Sequence, residues 1–123
     1  MIDNFEDYTT HLNTYEKDML VPLLVEDLKK RVGRKYAIRN KALCKFYTEK
    51  GYQGLKEARI RKCINYIRMM GLVPHLIANS QGYYCATSVE EVENYIESLD
   101  QRAKAIWAMR AALKRDLSGR LFI

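Results

Sequence analysis

Residues 55–86 read LKEARIRKCINYIRMMGLVPHLIANSQGYYCA, and the change of period inside this stretch decides the fold. As far as Met70 the apolar residues Ile60, Cys63, Ile64 and Ile67 recur at helical spacing, with polar or small residues opposite, and Gly71 ends the run. Beyond Gly71 the pattern turns extended. Leu72 to Ala78 and Tyr83 to Ala86 flank Asn79-Ser80-Gln81-Gly82, a four-residue loop in which Gly82 supplies positive φ. Pro74 restricts the first of these strands to an edge.

Upstream, a second helix is predicted from about Asn40, with Ala42, Leu43, Phe46 and Tyr47 on one face and Gly51 at its end. The polar link from Gly51 to Gly54 joins it to the helix predicted over Leu55 to Met70, so the two form a helix-turn-helix pattern whose second helix is strongly basic. Tyr36-Ala37-Ile38 is apolar enough for a short strand. Before it, Tyr15, Met19, Leu20, Leu23, Leu24, Leu28 and Val32 mark a helix capped by Thr14 and stopped by Gly33, in which Pro22 forces a kink or a later start. Downstream, Ser88 and Glu91 make a capping box for a helix running to about Leu117. Its apolar positions step alternately by four and three through Val92, Ile96, Leu99, Ala103, Ile106, Leu113 and Leu117, with Arg110 the one polar intruder, as in a coiled-coil seam.

The 123 residues suffice for one domain, read as a loosely ordered segment 1–13, a core over 14–86 and a long helix over 88–117. Charge is distributed unevenly. Residues 1–28 hold one lysine and seven acids, residues 29–68 fourteen Lys and Arg and two acids, and residues 69–123 six of each. A basic block inside a folded domain is the footprint of a protein that sits on phosphates; a solvated face is the competing reading. Cys44, Cys63 and Cys85 have neither metal-ligand nor redox spacing and read as reduced core thiols. The acidic start and the lack of a long apolar run predict a cytoplasmic protein that makes no membrane contact. Only His11 and His75 are present, without a carboxylate or cysteine beside them at ligand spacing. No phosphate loop, nucleophile elbow or carboxylate pair is found, so no catalytic residue, metal or cofactor is expected.

The basic helix and hairpin together, Arg59 to Arg68 followed by Leu76 to Tyr84, resemble the winged helix domains of phage and prophage replication or regulatory proteins. The stretch Glu97 to Ile106 looks like the helix that follows the wing in those proteins, and the likeness covers about Ala37 to Ile106. The resemblance implies a mainly helical winged helix-turn-helix domain that binds duplex DNA, as a transcriptional regulator or a replication accessory of a mobile element. One departure is that no Lys or Arg lies between Met69 and Gln101, where a DNA-binding wing usually carries them.

With the isoleucines of the basic helix turned inward, Ala58, Lys62, Asn65 and Met69 face outward and Arg59 and Arg61 flank them, while Lys56 opens the helix. Lys56, Arg59, Lys62 and Asn65 are the base-edge candidates and Arg61 the phosphate candidate. Arg34, Lys35, Arg39, Lys41 and Lys45 surround the start of the second helix, where Arg39 and Lys41 would clamp the backbone. Tyr15, Tyr36, Tyr47 and Tyr95 fall in apolar patterns and read as core, and only one of Tyr83 and Tyr84 can be free. The final helix predicts a homodimer joined through Ile106 to Leu117, with Trp107 and Phe122 near the seam. The alternative function is a protein-interaction or assembly module working through that helix.

Overall fold

The computed structural model describes residues 12–119, so His11, Phe122 and most of the segment expected to be loosely ordered lie outside the described residues. The chain divides into two units, Met1–Thr87 and Ser88–Ile123. The first holds helices α1 (Val21–Lys29), α2 (Asn40–Glu49) and α3 (Glu57–Met70) and the antiparallel strands β1 (Leu76–Asn79) and β2 (Gly82–Cys85). The second is the single helix α4 (Val89–Gly119).

The chain enters α1 through a capping box one residue earlier than Thr14. The Asn13 side chain accepts the Glu16 amide at 2.8 Å while the Glu16 carboxylate accepts the Asn13 amide at 3.0 Å. Pro22 marks a later start of α-helical winding, one of the two outcomes expected of it, since α1 proper begins at Val21. Residues Glu16–Leu20 widen into a π-helical turn in which Val21 N–H reaches back to the Glu16 carbonyl, and Pro22 falls in the first turn of α1, where its missing N–H costs nothing. Glu16, Leu20, Leu24 and Leu28 are consequently all buried on one face.

The four residues expected to form the stripe of α3, Ile60, Cys63, Ile64 and Ile67, meet Leu24, Leu28, Leu43 and Tyr47 in the core. The Tyr47 hydroxyl donates to Asp27 at 2.7 Å and so ties α2 to α1. Leu55 is buried but precedes α3, which starts only at Glu57 with Lys56 as its cap. Gly71, in the left-handed region, closes α3, and Leu72 N–H bonds back to the Ile67 carbonyl at 3.1 Å.

Three strand expectations are corrected. Extended pairing begins at Leu76, not Leu72, because the chain turns at Pro74 and His75. The hairpin loop has two residues, Ser80 and Gln81, since Asn79 and Gly82 are already paired; the Asn79 side chain accepts the Gln81 amide at 2.9 Å and holds the turn. Tyr36-Ala37-Ile38 is not a strand: Arg34–Tyr36 form a 3-10 turn, Tyr36 is exposed, and Ile38 alone pairs with Tyr83. That one bridge is tight. A Cβ on Gly82 would come within 2.4 Å of the Ile38 carbonyl, so glycine is required where this segment crosses β2. Val32, expected on the α1 stripe, is exposed and bridges to Cys85.

In α4 the Ser88 hydroxyl accepts the Glu91 amide at 3.2 Å, consistent with the expected cap, and 31 residues follow in one helix. None of its residues is buried, and Trp107 and Met109 are 62% and 60% exposed.

Candidate nucleic-acid interface

The starts of α2 and α3 are joined by one side chain. Asn40 Nδ2 donates to the Glu57 carbonyl at 2.9 Å, which sets the first turn of α2 beside the first turn of α3. Arg39, the cap of α2, and Lys41 and Lys45 one turn apart on its outer side are all exposed. The Ile38–Tyr83 bridge positions Arg39 against the hairpin, since Tyr83 N–H donates to the Ile38 carbonyl at 2.8 Å. Across from them, Lys56 and Arg61 of α3 are exposed. Burial raises the Tyr83 hydroxyl above its ordinary value, and the nearby charges of Arg61 and Arg68 act against that rise. Arg39, Lys41 and Arg61, together with Arg68 and Tyr83, therefore border one region built from α2, α3 and β2. Free helix N–H groups at its α2 end add partial positive charge.

Arg59 and Lys62 are placed elsewhere. Both turn to the other flank of α3, where the Arg59 Nε donates to Glu16 at 3.1 Å and the Lys62 Nζ donates to Glu16 at 3.0 Å. Arg59 also donates to the Gly54 carbonyl at 3.2 Å and lies 5.6 Å from the Tyr15 ring centre. Glu16 itself is only 3% exposed. Burial alone would raise its carboxyl, but the Asn13 amide, the hydrogen bond and charge of Lys62 and the charge of Arg59 together hold it below its ordinary value. A buried carboxylate thus neutralises two of the cations that the helical wheel turned toward a ligand. Asn65 is half-buried and accepts a bond from Arg68 at 3.3 Å.

A shallow cleft of about 590 Å³ opens beside Arg59, lined by Tyr15 and the turn from Gly51 to Gly54. The Tyr15 hydroxyl donates to the Gln53 carbonyl at 3.3 Å, so this tyrosine braces the turn between α2 and α3. Tyr84 and Tyr47 are core residues, whereas Tyr83 is partly open, matching the alternation of the ribbon. The hairpin contributes buried Ile77, Tyr84 and Cys85 to the packing, and its exposed tip, Ser80 and Gln81, is uncharged.

Two participants were not read from the sequence. Arg68 stands one helical turn beyond Ile64 on the Arg61 flank, and its place there was readable from the same wheel. Glu16 carried a fainter signal, the Asn13-x-x-Glu16 spacing of a capping box. Burial pushes the Cys63 thiol up to about 12, with the Glu16 charge adding to the effect, so this thiol stays protonated and unreactive. Among the described residues no cluster of His, Cys, Asp or Glu fit to hold a metal ion occurs, and no helix is long and apolar enough to cross a membrane.

No protein-family profile, curated protein or solved structure matches the chain. The functional reading accordingly rests on the geometry of these residues.

Proposed function

We propose that the first unit binds duplex DNA as a winged helix-turn-helix domain, with α3 entering the major groove and the start of α2 set on the phosphate backbone. The order of its elements supports this: helix, bridged segment, helix, turn, helix, hairpin. The observation that carries the reading is the junction made by Asn40 and Glu57, which brings exposed Arg39, Lys41, Lys56 and Arg61 to neighbouring helix starts. The major groove admits a helix and presents a different donor and acceptor pattern for each base pair. In this arrangement Arg61, Lys56 and Asn65 read base edges, while Arg39, Lys41 and Lys45 fix register through phosphates. Arg59 and Lys62 form an inner pair restrained by Glu16. The hairpin covers the core and meets DNA, at most, with neutral side chains.

The domain acts by binding alone, without catalysis, as a transcriptional regulator or a replication accessory of a phage or other mobile element. The test is fluorescence anisotropy with a random duplex at 50 and 200 mM salt. Four phosphate contacts would weaken binding by about 100-fold over that range. Absent or salt-independent binding removes the proposal.

A second role follows from the exposed apolar stripe of α4, since contiguous apolar surface of this kind marks interfaces. The helix serves as an assembly module, and its partner is a second copy of the chain.

A further inference from the structure

We propose that α4 pairs with the same helix of a second copy in antiparallel orientation, centred near residue 108. This rests on the reading of α4 as the self-association element and specifies its geometry.

The stripe assigns Ile96, Ala103, Arg110 and Leu117 to one core position of the heptad, and Val92, Leu99, Ile106 and Leu113 to the other. A parallel, in-register pair would set Arg110 against the partner's Arg110 in the core, and its flanking contacts would join no opposite charges. Antiparallel pairing avoids that clash, and charge then selects among its registers. Centring the pair on Gln101 would oppose Asp100 to the partner's Asp100 and Arg102 to the partner's Arg102. Centring it midway between Lys104 and Ala105 gives one kind of ion pair, Glu93 with the partner's Lys114. Centring it on residue 108 gives two kinds, Asp100 with the partner's Lys114 and Arg102 with the partner's Asp116, and each occurs twice by symmetry.

The same register accounts for the large apolar residues that lie off the stripe. Trp107, 62% exposed, meets the partner's Trp107, and Met109, 60% exposed, meets the partner's Met109. Leu99 then packs on the partner's Leu117, and Ala103 on the partner's Leu113. Arg110 falls opposite the partner's Ile106 with its guanidinium over the Trp107 ring of its own chain, 4.8 Å from the centroid. The stacked guanidinium keeps its charge at the edge of the seam. The first turns of α4 lie outside the overlap, and the two Val89 positions stand about 60 Å apart along the helix axis at 1.5 Å per residue. Each basic unit is therefore tethered at its own end of the rod.

Full-length chains carrying Leu99→Cys and Leu117→Cys, mixed in equal amounts in a Cys44→Ser background and oxidised mildly, test the register. Mass spectrometry is expected to find the mixed disulfide between positions 99 and 117. Asp100→Lys should weaken self-association by about tenfold in sedimentation, and Asp100→Lys with Lys114→Asp should restore it. A dimer that links position 99 to position 99, or that ignores the charge exchange, overturns the antiparallel register while leaving self-association standing. A monomer at micromolar concentration overturns both, and duplex binding measured on the same samples reports separately on the first unit.

Discussion

Lys62 Nζ lies 3.0 Å from Glu16 Oε1, across 46 positions of sequence, and the second oxygen of the same carboxylate holds Arg59. A basic helix in the middle of the chain is thus partly neutralised by an acid from the start of the first helix. Buried carboxylates are costly unless paired and hydrogen-bonded; Glu16 accepts from both cations and from the Asn13 amide, which offsets that cost.

Glu16→Gln should release both cations. Duplex affinity is expected to rise and the salt slope to steepen by one to two phosphate equivalents, about 0.9 each. Stability should fall by about 1 to 3 kcal/mol for the lost charged hydrogen bonds. Anisotropy titrations and denaturant melts measure the two effects, and an unchanged affinity would mean that Arg59 and Lys62 never reach DNA.

The Glu16 carboxyl sits below its ordinary value in the folded protein. A lowered carboxyl favours the folded state at a pH above the unfolded glutamate value, about 4.3, and that contribution disappears as pH falls through the folded value. Denaturant melts between pH 7 and pH 3 should show stability dropping at the acid end, with a shallower drop in Glu16→Gln.

Arg61→Ala and Arg59→Ala should separate the two flanks of α3. The first removes an exposed cation and should weaken duplex binding by about 1 to 3 kcal/mol with little change in melting temperature. The second removes a Glu16 partner and should lower thermal stability. Equal losses of affinity in both variants, with stability unchanged, would contradict the ion-pair arrangement. Arg39→Ala with Lys41→Ala should weaken all sequences alike and reduce the salt slope by about two.

Gly82→Ala should destabilise the first unit by about 2 to 4 kcal/mol, because the added methyl meets the Ile38 carbonyl and the Arg39 amide at a φ of 121° that alanine avoids. Since Arg39 would be displaced, affinity should also fall. A melt identical to that of the unaltered protein would show that the crossing is looser than described.

What could be read from the sequence was what depends on local repetition. The stripe of Ile60, Cys63, Ile64 and Ile67, the Gly71 stop and the length of α4 all follow from periodicity and capping, which neighbours in sequence determine. The strand expected at Tyr36 to Ile38 failed because a 3-10 turn occupies Arg34–Tyr36 and leaves one residue to pair. Asn40 explains why the α2 start was legible as a basic edge but not as a junction, since its partner Glu57 lies beyond the intervening turn. For Arg59 and Lys62 the wheel correctly set them off the core stripe, yet a wheel contains no neighbouring elements. Their partner Glu16 sits in a different helix, in a phase that only the π-helical turn produces.

That turn makes the protein sensitive to chain length at one place. Four consecutive fourth residues, Glu16, Leu20, Leu24 and Leu28, share a buried face only because Glu16–Leu20 accommodates one residue more than an α-helical turn. Removing exposed Met19 would take out the extra residue, restore the ordinary winding and leave Glu16 on nearly the same face as Leu20, Leu24 and Leu28. Such a deletion should keep the ion pairs of Glu16 and leave duplex affinity unchanged, whereas inserting one further residue there should swing Glu16 by about 100° and reproduce the affinity of Glu16→Gln without altering any charge. A single codon gained at this point then sets how firmly the basic helix is leashed, an adjustment of the proposed DNA affinity that touches no residue of the candidate interface.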